Sequence, residues 1–136
     1  MTARLKKCNE EIASGRFRKA TQFLDVAEMV RDLANDESDV GDALVTLCVH
    51  AGIAASDVIC CEAFGHFVQG EDHLQAIAEL SRVTPDGAGL GKDLQALLQM
   101  KSRAGYAAPP VTADQRKRAW RRAERLVEAA RKHRTS

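Results

Sequence analysis

Aromatic residues are scarce in this sequence: only six of its 136 residues are Phe, Tyr or Trp. A surface that stacks single-stranded bases needs several exposed rings, so this class of nucleic-acid-binding protein is disfavoured. An excess of positive charge is also missing, because 20 Lys and Arg stand against 19 Asp and Glu. This balance excludes a uniformly basic nucleic-acid-binding protein.

Long apolar runs and an apolar leader are absent as well. His, Asp or Gly interrupts each apolar stretch before it reaches the roughly 18 residues that a membrane span needs. The first 15 residues are charged where a signal peptide has its apolar core. We therefore expect a cytoplasmic protein with no membrane partner.

The usual signatures of cofactor and metal sites are missing too. There is no P-loop, no GxGxxG and no HExxH motif, and the four cysteines form no CxxC pair. In a reducing cytoplasm we expect Cys48 and Cys61 to be small buried residues and Cys8 to be exposed. A Gly-containing turn separates His66 from His73, which makes them weak metal ligands. We predict neither a metal nor a cofactor.

Helical periodicity is what the sequence does contain. Its composition, 45% hydrophobic and 29% charged, is that of a folded domain, and no linker or repeat is visible, so we predict one domain over residues 1–136. Apolar residues recur with a period of 3.6, and no convincing strand pattern occurs. Short connections between amphipathic helices favour an all-α, up-and-down bundle of four to five helices.

Capping residues and helix breakers divide the chain into predicted helices. Ser38 is the predicted N-cap of a long second helix, and Thr112 with Gln115 is a capping box before the last one. Three glycines at 87, 89 and 91 predict a loose entry to the fourth helix, which Pro109-Pro110 ends. The predicted helical segments are 3–13 (with a break at Ser14-Gly15), 17–34, 38–67, 71–83, 90–104 and 112–132.

The second helix carries polar residues in an apolar setting. Residues 43–61 are apolar nearly all round the helix, which is typical of the central helix of a bundle. His50 and Asp57 share one face of it, and each needs a partner because burying an unpaired polar group is costly. Lys101 falls on the inward face of the fourth helix. We predict a buried pair of Asp57 and Lys101; alternatively, Lys101 extends to solvent and Asp57 lies at the edge of the bundle.

The last helix is strongly basic. Residues 116–136 contain nine Lys or Arg and two Glu, whereas residues 24–100 contain three basic and fourteen acidic residues. The neutral total therefore conceals basic ends and an acidic middle, and the first and last helices of a bundle can lie side by side. The basic face predicted to bind phosphate backbones consists of Arg118, Arg121, Arg122 and Arg125, and the alternative is a solvated surface.

Four segments together resemble the HEPN superfamily over roughly residues 16–131. They are the apolar stretch 44–59 with His50 and Asp57, the Gly-Glu-Asp-His sequence at 70–73, the Lys-Ser-Arg-Ala-Gly-Tyr sequence at 101–106 before a proline break, and Val-Thr-Ala-Asp at 111–114 with its closing helix. The resemblance implies a bundle of four or five helices that is commonly a homodimer. Many such domains are metal-independent endoribonucleases of toxin–antitoxin and defence systems, with a composite site at the dimer interface.

The resemblance also implies which residues form a site. The ribonuclease signature is Arg followed after four to six residues by His; Arg103 is in place, but no histidine precedes Pro109. The stretch is similar to a branch with R-x-x-A-D-Y, in which Lys101 takes the Arg position, Gly105 replaces Asp and Tyr106 is retained. His73 matches a histidine that many members have at the start of their third helix, so the resemblance implies Arg103, Lys101, Tyr106 and His73 as candidate catalytic residues.

Three functions follow from these expectations. The first is a non-catalytic domain that binds nucleotide, nucleic acid or a partner protein such as a nucleotidyltransferase, because the missing imidazole removes the usual acid–base group. The second is a metal-independent endoribonuclease acting on RNA across a homodimer. The third is a helical interaction module without a nucleotide role. The sequence favours a protein that is not an enzyme.

Overall fold

One apolar helix, α2 (Gly41–Phe64), occupies the centre of the computed structural model, which describes residues 4–135. Its side chains are apolar on nearly every side, so several neighbours are needed to bury them. The helices that pack against it are α1 (Glu10–Leu33), α4 (Gly87–Gly105) and α5 (Ala113–Thr135), and α5 also touches α1. The short α3 (His73–Ser81) packs mainly on α4. The predicted all-α bundle is confirmed, with five α-helices in the described residues.

Two short strands lie beside the bundle. β1 (Leu5–Lys7) pairs antiparallel with β2 (His66–Val68). The predicted helix over 3–13 is wrong at its start, where residue 3 lies outside the described residues and residues 5–7 form β1. A strand of three residues is too short to produce a recognisable alternating pattern. α1 begins instead after Asn9, whose side chain accepts a hydrogen bond from the Ile12 amide at 2.9 Å.

The predicted break at Ser14-Gly15 does not occur, because both residues lie inside α1. Ala13, Ala20 and Ala27 are buried along this helix, so packing maintains the helical backbone through the glycine.

The ends of α2 also differ from the prediction. Asp36, not Ser38, is the capping residue, and it starts a short 3-10 helix (Glu37–Val40) by accepting a hydrogen bond from the Ser38 amide at 2.9 Å. α2 then begins at Gly41. It ends at Gly65, which has a φ of +75°, a left-handed conformation that glycine adopts without steric cost. The predicted end near 67 fails because residues 66–68 form β2.

The remaining helix ends are set by local hydrogen bonds. Asp72 caps α3 by accepting from the Gln75 amide at 3.0 Å. The three glycines predicted as a loose entry lie inside α4, and a Cβ at position 87 would stand 2.7 Å from the Leu80 carbonyl oxygen of α3. The capping box of α5 is confirmed, with the Gln115 amide donating to Thr112 Oγ1 at 3.1 Å and the Thr112 amide to Gln115 Oε1 at 2.8 Å.

A disulfide joins Cys8 to Cys61, with their Cα atoms 5.5 Å apart. The expectation that both are reduced, with Cys8 simply exposed, is therefore wrong. Pairing of β1 with β2 brings residue 8 to the end of α2, where the Cys8 amide donates to the Gly65 carbonyl at 2.9 Å. Cys48 and Cys60 are buried thiols.

The segment 37–64 is long and apolar enough to cross a membrane, with a mean hydropathy of 1.9 in its most apolar window. This differs from the expectation that polar residues interrupt every such run. Of that window, 72% is buried inside the bundle, as in the core helix of a soluble protein. The segment is therefore weak evidence for a membrane span.

Candidate functional site

A pocket of about 410 Å³ opens where α2, α3 and α4 meet the β1–β2 ribbon. Part of its lining is apolar and part is polar, a combination typical of small-molecule sites. The apolar part consists of Ile53, Phe67, Val68, Ala76, Leu94 and Leu98. The polar part consists of Lys6, Arg16, His50, Ser56, Asp57, Gln69, Glu71, His73 and Lys101.

Helical spacing aligns the residues that face this pocket. On α2 they include His50, Ile53 and Asp57, which are three and four positions apart and so share one face. Leu98 and Lys101 are three apart on α4. The polar residues that interrupt the apolar helix therefore lie together on the wall of a pocket. From the sequence alone, only their position on one face of the helix could be predicted.

Asp57 is paired with Arg16 of α1, not with Lys101 as predicted. Its Oδ2 accepts from Arg16 Nη2 at 2.8 Å and from Nε at 3.0 Å. Burial raises the pKa of Asp57 to about 6, and the Arg16 charge offsets only part of that effect. The carboxyl can therefore exchange a proton near neutral pH, which is characteristic of groups in functional sites.

Lys101 also pairs with a residue other than the predicted Asp57. Its Nζ lies 3.8 Å from Glu71 Oε1, at the mouth of the pocket. The Glu71 side chain is 86% exposed, so solvent screens this contact and it costs little to break. Lys101 can therefore turn from Glu71 to a bound anion.

Two histidines line the same pocket. The pKa of His50 is lowered, first by partial burial and then by the positive charges of Lys101 and Arg16. The imidazole is therefore neutral at pH 7 and offers one donor and one acceptor nitrogen. His73 is the first residue of α3.

The four predicted catalytic residues do not converge. Lys101 and His73 line the pocket, but Arg103 and Tyr106 are not among its lining residues. The Arg103 guanidinium donates to the Pro110 carbonyl oxygen, with Nη2 at 2.8 Å, and so holds the connection between α4 and α5. Tyr106 is 85% exposed.

The predicted basic face is divided between contacts inside the fold and solvent. Arg122 and Arg125 both bind Asp93 of α4 at 2.8 Å. Arg118 lies 3.9 Å from Asp114, and Arg121 lines a second pocket of about 260 Å³ next to Trp120. Half of this face therefore holds α5 against α4.

The two histidines weighed as metal ligands lie apart. His66 Nε2 is 3.5 Å from Glu79 Oε2, and its ring stacks on Phe64. His73 faces the pocket instead. Within residues 4–135 no group of three or more His, Cys, Asp or Glu side chains is placed to hold a metal ion.

Comparison with known proteins finds no family model that matches the chain and no curated protein related to it in sequence. Membership of the HEPN superfamily accordingly stays a prediction.

Between pH 4.5 and pH 7.5 the wild type is expected to lose roughly 1–3 kcal/mol of its free energy of unfolding relative to an Asp57→Asn variant. The pKa of Asp57 is higher in the folded chain than the unfolded value of 3.8, so the folded state binds more protons between these values. The wild type therefore loses stability as the pH rises from about 4 through 6, and the variant lacks that loss.

Urea unfolding of both proteins at pH 4.5 and pH 7.5 measures this effect. An Asp114→Asn variant, which removes an exposed carboxylate, controls for the general effect of charge. A stability difference between the two proteins that is the same at both pH values would contradict the prediction, because the pKa of Asp57 would then not be raised by burial.

Sequence reasoning missed two cationic residues of the pocket. Lys6 and Arg16 lie far from the other lining residues in sequence, and neither interrupts an apolar pattern. One signal was present, because a charged residue in an all-apolar helix requires a partner. That argument correctly demands a cation for Asp57 but cannot choose between Arg16 and Lys101.

Proposed function

We propose that this protein binds a small anionic organic molecule of nucleotide type in the pocket beside α2, without catalysing a reaction. The observation that carries the proposal is the joint presence of an apolar lining and the cationic groups Lys6, Arg16 and Lys101 in one pocket. A base or other flat ring suits the apolar part, and a phosphate suits the ammonium groups. The HEPN resemblance points in the same direction.

The charges of the pocket support an anionic ligand. Three cationic side chains face two carboxylates, Asp57 and Glu71, and Arg16 is already engaged by Asp57. Among the described residues no carboxylate forms an ion pair with Lys6, and the partner of Lys101 is solvated. Two ammonium groups are therefore accessible to a phosphate, and charge-assisted hydrogen bonds of this kind are the strong ones.

The neutral polar groups support recognition of the rest of such a ligand. His50 presents one donor and one acceptor, and Asp57 accepts from a hydroxyl or a ring N–H when it is ionised. The pocket volume lies within the range of small-molecule sites. Size, apolar lining and a few placed polar groups thus agree with a nucleotide.

Titration with adenosine monophosphate tests the proposal. We expect micromolar binding by calorimetry, and Lys101→Ala should weaken it about tenfold or more, because a charged hydrogen bond is lost. Lys92→Ala is the matched control, since Lys92 lies on the same helix but outside this pocket. Absence of binding, or equal losses in the two variants, would contradict the proposal.

A second candidate is metal-independent RNA cleavage, which one observation favours. The neutral imidazole of His50 shares the pocket with His73 and Lys101, so a general base and a cation lie in one place. Cleavage of RNA in the presence of a chelator, lost in both His50→Ala and His73→Ala, would support this function. Cleavage that survives both changes would exclude it.

The surface of α1 bears on the predicted homodimer. A row of exposed apolar residues on α1, namely Val26, Met29 and Leu33, suits the homodimer that the HEPN resemblance implies. A nucleotidyltransferase-type partner, a role in a toxin–antitoxin or defence system and a cytoplasmic location stay predictions from the sequence.

A further inference from the structure

The disulfide lies close to the proposed ligand pocket. Cys8 directly follows β1, and Cys61 lies in the last turn of α2. β1 supplies Lys6 to the pocket, and β2 supplies Phe67 and Val68. The covalent bond therefore ties the outer strand of the pocket wall to the central helix.

Little else holds β1 in place. All three of its residues are exposed, so it contributes no buried side chain to the core. It pairs with β2 over only three residues, with one further backbone bond on each side, Gln69 to Arg4 at 2.8 Å and Cys8 to Gly65 at 2.9 Å. A two-stranded ribbon is marginally stable by itself in water. The disulfide is therefore the covalent tether of a ribbon that is otherwise held by a few backbone hydrogen bonds.

We propose that the Cys8–Cys61 disulfide is a redox switch that sets the ligand affinity of the pocket. In the oxidised protein the disulfide holds β1 and Lys6 over the pocket. After reduction β1 is released, and the pocket loses the Lys6 ammonium group, one of its two accessible ones. The inference rests on the proposed function, because it regulates that same site. Disulfides in cytoplasmic proteins are usually transient or redox-sensing, which agrees with the predicted location.

A dithiol reductant carries out the switching step. Its thiolate attacks Cys8 Sγ, since Cys8 is the partly exposed partner and Cys61 is buried; the S–S bond breaks and Cys61 leaves as a thiolate that takes up a proton. The second thiol of the reductant then attacks the mixed disulfide and releases Cys8 as a thiol. Two electrons and two protons pass to the protein, and the reductant becomes a cyclic disulfide.

The two remaining cysteines stay outside this exchange. Both are buried, and burial raises the pKa of Cys48 and of Cys60 to about 12, so neither forms the thiolate that exchange requires. The exchange in the folded protein therefore involves Cys8 and Cys61.

The test compares oxidised and dithiothreitol-reduced protein. We expect two titratable thiols in the denatured oxidised protein, and an affinity for adenosine monophosphate that falls about fivefold or more on reduction. Lys6→Ala should bind as weakly as the reduced wild type and respond little to reductant. Cys8→Ser should also match the reduced state, whereas Cys60→Ala should keep the full response.

Hydrogen exchange gives a readout that needs no ligand. Reduction should speed the exchange of amides in residues 5–8 and 66–69 while those of α2 stay protected, and far-UV circular dichroism should stay that of a helical bundle. Binding that is equal in both redox states, four thiols in the oxidised preparation, or unchanged exchange of the ribbon overturns the switch alone. No binding in either state overturns the proposed function and the switch with it.

Discussion

Replacing Gly52 with Val is expected to lower the free energy of unfolding by about 1–3 kcal/mol. Gly52 lies in the middle of α2, where a side chain would normally favour the helix. A Cβ at this position would collide with Leu97 of α4 and stand 3.2 Å from Leu126 of α5. Both contacts are made by leucine side-chain ends, and both leucines are fully buried, so any shift that makes room must displace their neighbours in the core.

Gly15 provides the matched control for this prediction. It also lies inside a helix, but no atom stands within 4 Å of a Cβ built there. Gly15→Ala should therefore stabilise the protein by about 0.5–1 kcal/mol through helix propensity, whereas Gly52→Ala should destabilise it. Urea unfolding followed by circular dichroism measures both. Equal gains from the two alanines would show that α2, α4 and α5 do not meet as closely as described.

Replacing Asp93 with Ala is expected to lower the free energy of unfolding by about 2–4 kcal/mol. The Asp93 side chain is only 5% exposed, and its Oδ1 accepts from Arg122 and Arg125 at 2.8 Å, while Oδ2 accepts from Arg125 Nε at 3.2 Å. Removing the carboxylate leaves two guanidinium groups close together with nothing between them. It also removes the polar contact that joins α4 to α5.

Asp114→Ala is the corresponding control for an exposed pair. Asp114 lies 3.9 Å from Arg118, is 78% exposed and stands in the first turn of α5, so its loss should change stability by no more than about 1 kcal/mol. Thermal and urea unfolding at low and high salt separate the two cases, because salt screens the exposed pair far more strongly. A loss at Asp93 no larger than at Asp114 would contradict the structural role assigned to Arg122 and Arg125.

Features that depend on neighbouring residues could be predicted from the sequence. The all-round apolar pattern of 43–61 places α2 at the centre, and the Thr112–Gln115 capping box is formed as expected. Both signals arise within a few residues, where helix geometry alone decides which groups meet. The helical class of the fold follows from the same kind of signal.

Features that depend on contacts across the chain could not be predicted. The disulfide joins residues 53 positions apart, and it becomes possible only when a three-residue strand pairs beside α2. Lys101 was the predicted partner of Asp57, but the packing of α1 against α2 brings Arg16 to this carboxylate instead. The pocket takes its lining from several elements at once, so its existence is a property of the bundle and of no single motif.

The central position of α2 has a consequence for the synthesis of the chain. In the part of the chain that the structure describes, β1 and α1 are synthesised before α2, whereas α4 and α5, which complete its burial, end at residues 105 and 135. At typical elongation rates the ribosome needs about 4–14 seconds to extend the chain from the end of α2 to the end of α5. During that interval α2 presents an unburied surface to the cell, and this is when the newborn chain is most prone to associate with chaperones or with other copies of itself.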